Sequence, residues 1–165
     1  EPFCSILSEV KVGSEDPIKF IEKAVDFVNN RLWGTLNATF IVHPSTLKDP
    51  VIKAAFEQAI IQLKYGTVAV NTFPGVSFVY ASPPWGAYPS GTPTNIQSGN
   101  GFVHNTPMLE GIEKAVIRAP LSVFPKPAFL TSHRTAQNVM RRIVGMEEKA
   151  SWAKVPAIVW AAMQG

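Results

Sequence analysis

The side chains with most chemical potential in this 165-residue sequence are one cysteine and three histidines. A thiol becomes a nucleophile when a helix N-terminus, a histidine or a cation lowers its pKa. Cys4 has none of these close by in sequence; it stands beside Glu1 and Pro2, ahead of an apolar run, as a small packing residue would. A lone cysteine excludes an intrachain disulfide and fits a reducing, cytoplasmic setting. His43, His104 and His133 stand far apart, and no His/Cys spacing suits zinc, so no metal site is expected. There is no Walker loop, GxGxxG or Gly-x-Ser-x-Gly, and Ser, His and Asp occur without a local triad signature. His43, ahead of Pro44, reads as a turn residue. Glu9 and Lys11 mark the polar face of a strand, and Glu57 lies on the polar side of a helix. Phe73 and Trp85 suit either a pocket wall or loop packing.

The elements that must position these residues are clearest over the first 71. Residues 5–12 read as a strand through Ile6, Leu7, Val10 and Val12, stopped by Gly13-Ser14. Asp16-Pro17 starts a helix: the Asp accepts from free first-turn amides, and Pro at the first position loses no donor. Ile18, Ile21, Val25, Val28 and Leu32 form its apolar face, up to Gly34. The unit then repeats. Residues 38–42 form a buried strand, and Asp49-Pro50 starts a second helix. Val51, Ala55, Phe56, Ala59, Ile60 and Leu63 line that helix's core face. Residues 67–70 form a third strand, closed by Asn71.

Strand–helix–strand–helix–strand predicts parallel strands joined by right-handed crossovers. Strands that are apolar throughout predict a sheet covered on both faces, hence a three-layer αβα arrangement. The C-terminal strand ends, near Gly13, His43 and 71–73, form the edge where such sheets bind ligands.

From 74 to 127 the chain changes character and holds nine of the fourteen prolines. Its aromatics, Phe78, Tyr80, Trp85, Tyr88 and Phe102, predict an ordered irregular loop rather than a linker. Residues 115–117 form one more short strand. Thr131/Ser132 caps a third helix, to about Lys149, with Ala136, Val139, Met140, Ile143 and Val144 on its apolar face. Residues 152–163 form a fourth with Pro156 near its start.

With 46% hydrophobic and 16% charged residues the chain is neither disordered nor a coiled coil. The net charge of +3 lies wholly in residues 131–165, too thin to suggest nucleic-acid binding. The apolar stretch 152–163 is short of the roughly 20 residues of a membrane span. The start at Glu1 has no basic leader and no Met, so the chain is expected to continue a longer protein.

Several pieces occur in a familiar order: Glu1-Pro2-Phe3 before a strand, then Leu32-Trp33-Gly34-Thr35-Leu36, then Gly66-Thr67-Val68-Ala69-Val70-Asn71. A Gly/Pro-rich aromatic loop follows, with Pro84-Trp85-Gly86 inside it. Over residues 1–118 this resembles the later half of the catalytic domain of NAD(P)-dependent aldehyde dehydrogenases. Residues 119–165 resemble a C-terminal helical extension, packed on that domain, of some longer bacterial members. The resemblance implies a parent that oxidises an aldehyde to a carboxylic acid, through a cysteine thioester, with NAD or NADP.

The family's thiol, oxyanion donor and base lie upstream of Glu-x-Phe, so no catalytic residue is expected here and Cys4 is not the nucleophile. Glu1 matches the glutamate on the cofactor ribose; a carboxylate accepts from two vicinal hydroxyls. Phe3 matches the aromatic beside it. Residues 71–88 match the stretch closing the substrate tunnel, making Phe73 and Trp85 pocket candidates. The implied partners are the aldehyde and the missing N-terminal half, with a homo-oligomer consistent with the family's pairing segments. Cys4-Ser5 stands where the family has Gly-Pro, a departure that bears on contact through Glu1. The competing expectation is a non-catalytic α/β binding or assembly module that reuses the fold.

Overall fold

The computed structural model describes residues 4–165. It is mixed α/β, with a small three-stranded parallel sheet and five α-helices. The chain divides into two compact units, the first ending at Leu121 and the second spanning Ser122–Gly165.

In the first unit, α1 (Pro17–Arg31) begins where its sequence predicts. Asp16 Oδ1 accepts from the amides of Ile18 at 2.9 Å and Lys19 at 3.4 Å, with Pro17 in the first turn. Strand β1 (Asn37–Phe40) follows, then α2 (Pro50–Gln62). Asp49 caps α2 in the same way, accepting from Val51 at 2.8 Å and Ile52 at 3.2 Å. Each cap contributes about 1 kcal/mol. The next strand is β2 (Thr67–Val70), and after the irregular region comes β5 (Ala115–Arg118), numbered after α3 (Val76–Val79), β3 (Trp85–Gly86) and β4 (Phe102–Val103). The sheet order is β1-β2-β5, parallel throughout, with Asn37 opposite Thr67 and Thr67 opposite Ala115.

Successive residues of a strand face opposite sides, and β2 is buried on both: Thr67, Val68 and Ala69 are 0% exposed and Val70 is 5%. Val68 and Val70 pack with Val25 of α1 and with Phe56, Ala59 and Ile60 of α2. Both long helices therefore cover the same face. Just ahead of β2, Gly66 lies against the Gly86 carbonyl with no room for a Cβ. The Tyr88 amide donates to the Thr35 carbonyl at 3.0 Å. Residues 86–88 thus close over the N-terminal ends of β1 and β2.

The expected strand at 5–12 does not form. These residues are irregular and pair with no strand, with Ile6 70%, Leu7 93% and Val10 53% exposed. A strand needs a ladder for its backbone groups, and no strand of the sheet supplies one to these residues. The third strand is β5 instead, on the far side of β2, so Gly13 does not stand at the sheet edge. Val51, expected in the core, is 61% exposed, because α2 turns Phe56, Ala59 and Ile60 inward.

The second unit contains α4 (Ala136–Glu148) and α5 (Val155–Ala162), the latter with Pro156 in its first turn. Helix α4 starts later than Thr131/Ser132, because residues 127–133 are spent on turns. The Leu130 amide donates to the Pro127 carbonyl at 3.1 Å and the His133 amide to the Leu130 carbonyl at 2.9 Å. The Thr135 hydroxyl donates to the Ala161 carbonyl at 2.6 Å rather than capping α4. Of the face expected inside, Val139 is buried, but Met140 and Val144 are 42% and 62% exposed. Among the described residues, no helix is long and apolar enough to cross a membrane.

Two titratable groups report on the packing of the first unit. Lys114 donates to the carbonyls of Ile60 at 3.2 Å, Ile61 at 2.6 Å and Leu63, closing the free C-terminal end of α2. Burial holds its pKa below the usual 10.5, against the opposing pull of Glu113. Tyr65 donates its hydroxyl to the Val28 carbonyl at 3.0 Å, and burial pushes its pKa above 10.0. An acid whose pKa is raised by folding contributes stability below its unfolded pKa and loses it as pH rises through the folded one. Tyr65→Phe is therefore expected to lower stability near neutrality by about 1 kcal/mol. The difference from the unsubstituted chain should shrink above pH 10.0. Denaturant unfolding of both proteins across that range measures it.

Candidate functional site

The site begins where β2 ends. Asn71 takes a left-handed backbone, φ 57°, which asparagine tolerates better than most residues. Its amide donates to the Phe40 carbonyl at 2.8 Å. Its side chain holds both backbone groups of Val42: Oδ1 accepts from the Val42 amide at 2.8 Å, and Nδ2 donates to the Val42 carbonyl at 2.9 Å. The outgoing ends of β1 and β2 are thereby tied together by a residue that also reverses the chain into the aromatic loop.

In that loop, α3 places Phe78 between two rings. The Phe78 centroid lies 6.1 Å from Trp85 at 69° and 5.0 Å from His104 at 60°, both edge-on. Trp85 and His104 are brought close by the antiparallel pair of β3 and β4, in which Trp85 faces Val103 and Gly86 faces Phe102. His104 follows directly with φ 62°, and its Nε2 is buried without a hydrogen-bond partner. Ser77 is 0% exposed and its Oγ is likewise unpartnered. An aromatic wall with one free imidazole nitrogen suits a small, largely apolar molecule carrying one hydrogen-bonding atom.

Of the two residues expected in a pocket, Trp85 belongs to this cluster and Phe73 does not. Phe73 is 61% exposed, with its ring folded onto Gly75, where a Cβ would collide. Glu1 and Phe3, expected on the cofactor, lie outside the described residues. Cys4 is exposed and so does not pack as expected. His43 is the turn residue its position predicts: Nδ1 lies 2.6 Å from the Ser45 hydroxyl and accepts from the Ser45 amide at 3.2 Å. No sequence motif marks His104 as a site residue. It stands far from Trp85 in sequence, and only a two-residue ladder brings them together.

A cavity of about 430 Å³ opens at the N-terminal end of β1, among Leu32, Trp33, Gly34, Leu36, Asn37, Tyr65 and Ser98. The Gly34 amide donates to Gln97 Oε1 at 3.1 Å and the Thr35 amide to Ser98 Oγ at 2.8 Å, fixing one wall. At the other end of the sheet, Arg118 and Glu57 form a two-pronged ion pair at 3.0 and 2.6 Å. Both side chains are about half exposed, which leaves the pair little net worth. Among the described residues, no three His, Cys, Asp or Glu side chains gather as metal ligands.

No family model matches the chain, and neither a curated protein nor a solved structure matches it.

Asn71 provides the sharpest test of this geometry. Asn71→Ala removes two hydrogen bonds and puts alanine, which tolerates positive φ less well than asparagine, at this position, for an expected loss of about 2–3 kcal/mol. Asn71→Gly loses the bonds but not the backbone freedom, and should cost less. Denaturant unfolding of the two variants separates the contributions.

Proposed function

We propose that this chain is the later part of the catalytic domain of an aldehyde dehydrogenase-like oxidoreductase, whose parent oxidises an aldehyde to a carboxylic acid with NAD or NADP. The observation that carries the reading is the Gly66–Asn71 motif in its structural setting. It forms the central buried strand, Asn71 ties the two strand ends, and the chain passes straight into the aromatic loop holding Trp85. Trp85, beside Phe78 and His104, supplies tunnel wall; Phe73, at the mouth of the same loop, is exposed to whatever approaches it.

The cofactor supplies the hydride acceptor, and this chain's share in holding it is limited. A dinucleotide's phosphates favour the free amides of a helix N-terminus. Here the first turns of α1 and α2 are already occupied by the carboxylates of Asp16 and Asp49. Both ends therefore repel a phosphate, which fits a chain that contributes a ribose contact through Glu1, packing through Phe3, and no phosphate cradle. The thiol, the oxyanion donor and the base belong to the missing half.

Two measurements test this. The purified chain with NAD or NADP and a panel of aldehydes should form no NAD(P)H; formation of NAD(P)H overturns the assignment of a fragment. An immunoblot of source cells with an antibody to this chain should show a band well above 18.0 kDa. A band at 18.0 kDa alone would instead make the chain a free-standing α/β binding module.

A further inference from the structure

Strand β1 is an outer strand of its sheet, with β2 as its neighbour. The Leu36 and Phe40 carbonyls accept from the Thr67 and Asn71 amides, so even-numbered residues turn their backbone groups to β2. Asn37 stands opposite Thr67 and turns its amide and carbonyl the other way, as alternate residues of a parallel edge do. Among the described residues, no loop backbone bonds to either group. Just upstream the backbone is occupied: the Thr35 amide donates to Ser98 Oγ at 2.8 Å and the Gly34 amide to Gln97 Oε1 at 3.1 Å. Gly34 permits this approach. Its φ is +110°, and a Cβ there would stand 3.3 Å from Ser98 Oγ.

These bonds hold the cavity of about 430 Å³ at the start of β1, a volume within the roughly 300–1,000 Å³ of small-molecule sites. Trp33 lines it and is 71% exposed, so its indole is open to a stacking partner. Tyr65 lines it too, but its hydroxyl proton is committed to the Val28 carbonyl. Among the described residues, none that lines the cavity is charged. Arg31 and Lys64 adjoin Leu32 and Tyr65 in sequence but do not line it.

We propose that this cavity binds the uncharged, planar ring of a purine-like nitrogen heterocycle, stacked on Trp33 and hydrogen-bonded edge-on to the amide and carbonyl of Asn37. A donor and an acceptor on one residue match a ring with an acceptor nitrogen beside an amino group, the pattern adenine presents. The indole supplies stacking, which any such ring can use. A purely apolar molecule would leave the Asn37 groups buried and unpaired, and a charged one would find no counter-charge in the lining. A peptide strand would need successive outward amides, and the one at Thr35 is already bonded to Ser98; a single ring needs Asn37 alone. The cavity shares no residue with Glu1, Phe3, Phe73 or Trp85, so its test is independent of the enzyme reading.

That test is an NMR titration of the full chain with adenosine, an uncharged probe of this class. Saturable shifts below about 1 mM are expected at the Trp33 indole N–H and at the amides of Gly34, Leu36 and Asn37. No saturation in that range, or shifts confined to other residues, overturns the proposal. The dimethylamino analogue of adenosine keeps the stacking face but lacks the amino donor, and should bind at least about tenfold more weakly; equal binding overturns the edge-on contact with Asn37. Adenosine monophosphate should bind no more tightly than adenosine, and a gain of about tenfold overturns the assignment to an uncharged ligand. Asn37→Pro removes the outward amide, at a first strand residue where proline is tolerated. The Thr67 amide, bonded to the Leu36 carbonyl, reports that the ladder survives. This variant should weaken adenosine at least about tenfold, and Asn37→Ala, which keeps the backbone pair, should weaken it less; equal losses overturn the backbone contact. Trp33→Leu, at an exposed side chain, should also weaken binding by about tenfold, and unchanged binding overturns the stacking.

Discussion

Everything in the first unit hangs on the burial of β2. A strand with no exposed face must find cover on both sides and a hydrogen-bonded neighbour along both edges. Thr67–Val70 has helices on one face and β1 and β5 along its edges, and residues 86–88 close over its N-terminal end. Fully burying each valine is worth roughly 1.5–3 kcal/mol. The same strand sets the geometry of the loop, because its last hydrogen bonds pass to Asn71. The aromatic cluster is therefore suspended from the most buried strand in the unit, although Phe78 at its centre is 48% exposed.

What was legible in the sequence were the features with a local cause. Asp16-Pro17 and Asp49-Pro50 each encode a cap and a first turn within two residues, and both helices start there. The Gly66–Asn71 run shows a strand and its terminator together. What was not legible depended on partners. Residues 5–12 have a strand's composition, yet pairing is a property of two segments, and here the second edge is left open. Thr131 and Ser132 have capping chemistry, but nearby turns and the pull of Ala161 on Thr135 decide where α4 begins. The apolar stripes on α2 and α4 are broader in sequence than in the core for one reason: periodicity names a face but not how far a neighbour covers it. Val51, Met140 and Val144 fall beyond that reach.

The candidate site divides along the same line. Trp85 was legible because aromatic residues in a Pro/Gly-rich loop have few reasons to be there unless they pack. Its placement against Phe78 and near His104 was not, because it depends on two residue pairs of β3 and β4 that no periodicity announces. His104 illustrates the cost of reading histidines only for metal spacing. Its value here lies in one buried, unpartnered nitrogen held next to rings, a property of the loop's path rather than of any motif.

The two Asp-Pro starts also constrain chemistry. A helix N-terminus carries a partial positive charge and free amides that would draw an anion to it. In this unit both long helices satisfy those amides with their own carboxylates, which stabilises the helices and makes the same end hostile to phosphate. A serine at either cap would have stabilised comparably and left the end neutral. The choice of Asp in both places removes anion binding from the helix starts and leaves recognition to the groups that remain at the other surfaces: an aromatic wall, one imidazole nitrogen and the backbone at the start of β1. Those groups favour an uncharged or weakly polar portion of a ligand. If a charged nucleotide is bound by a larger assembly containing this unit, its phosphates must be neutralised elsewhere, and the part that reaches this loop is the part without them.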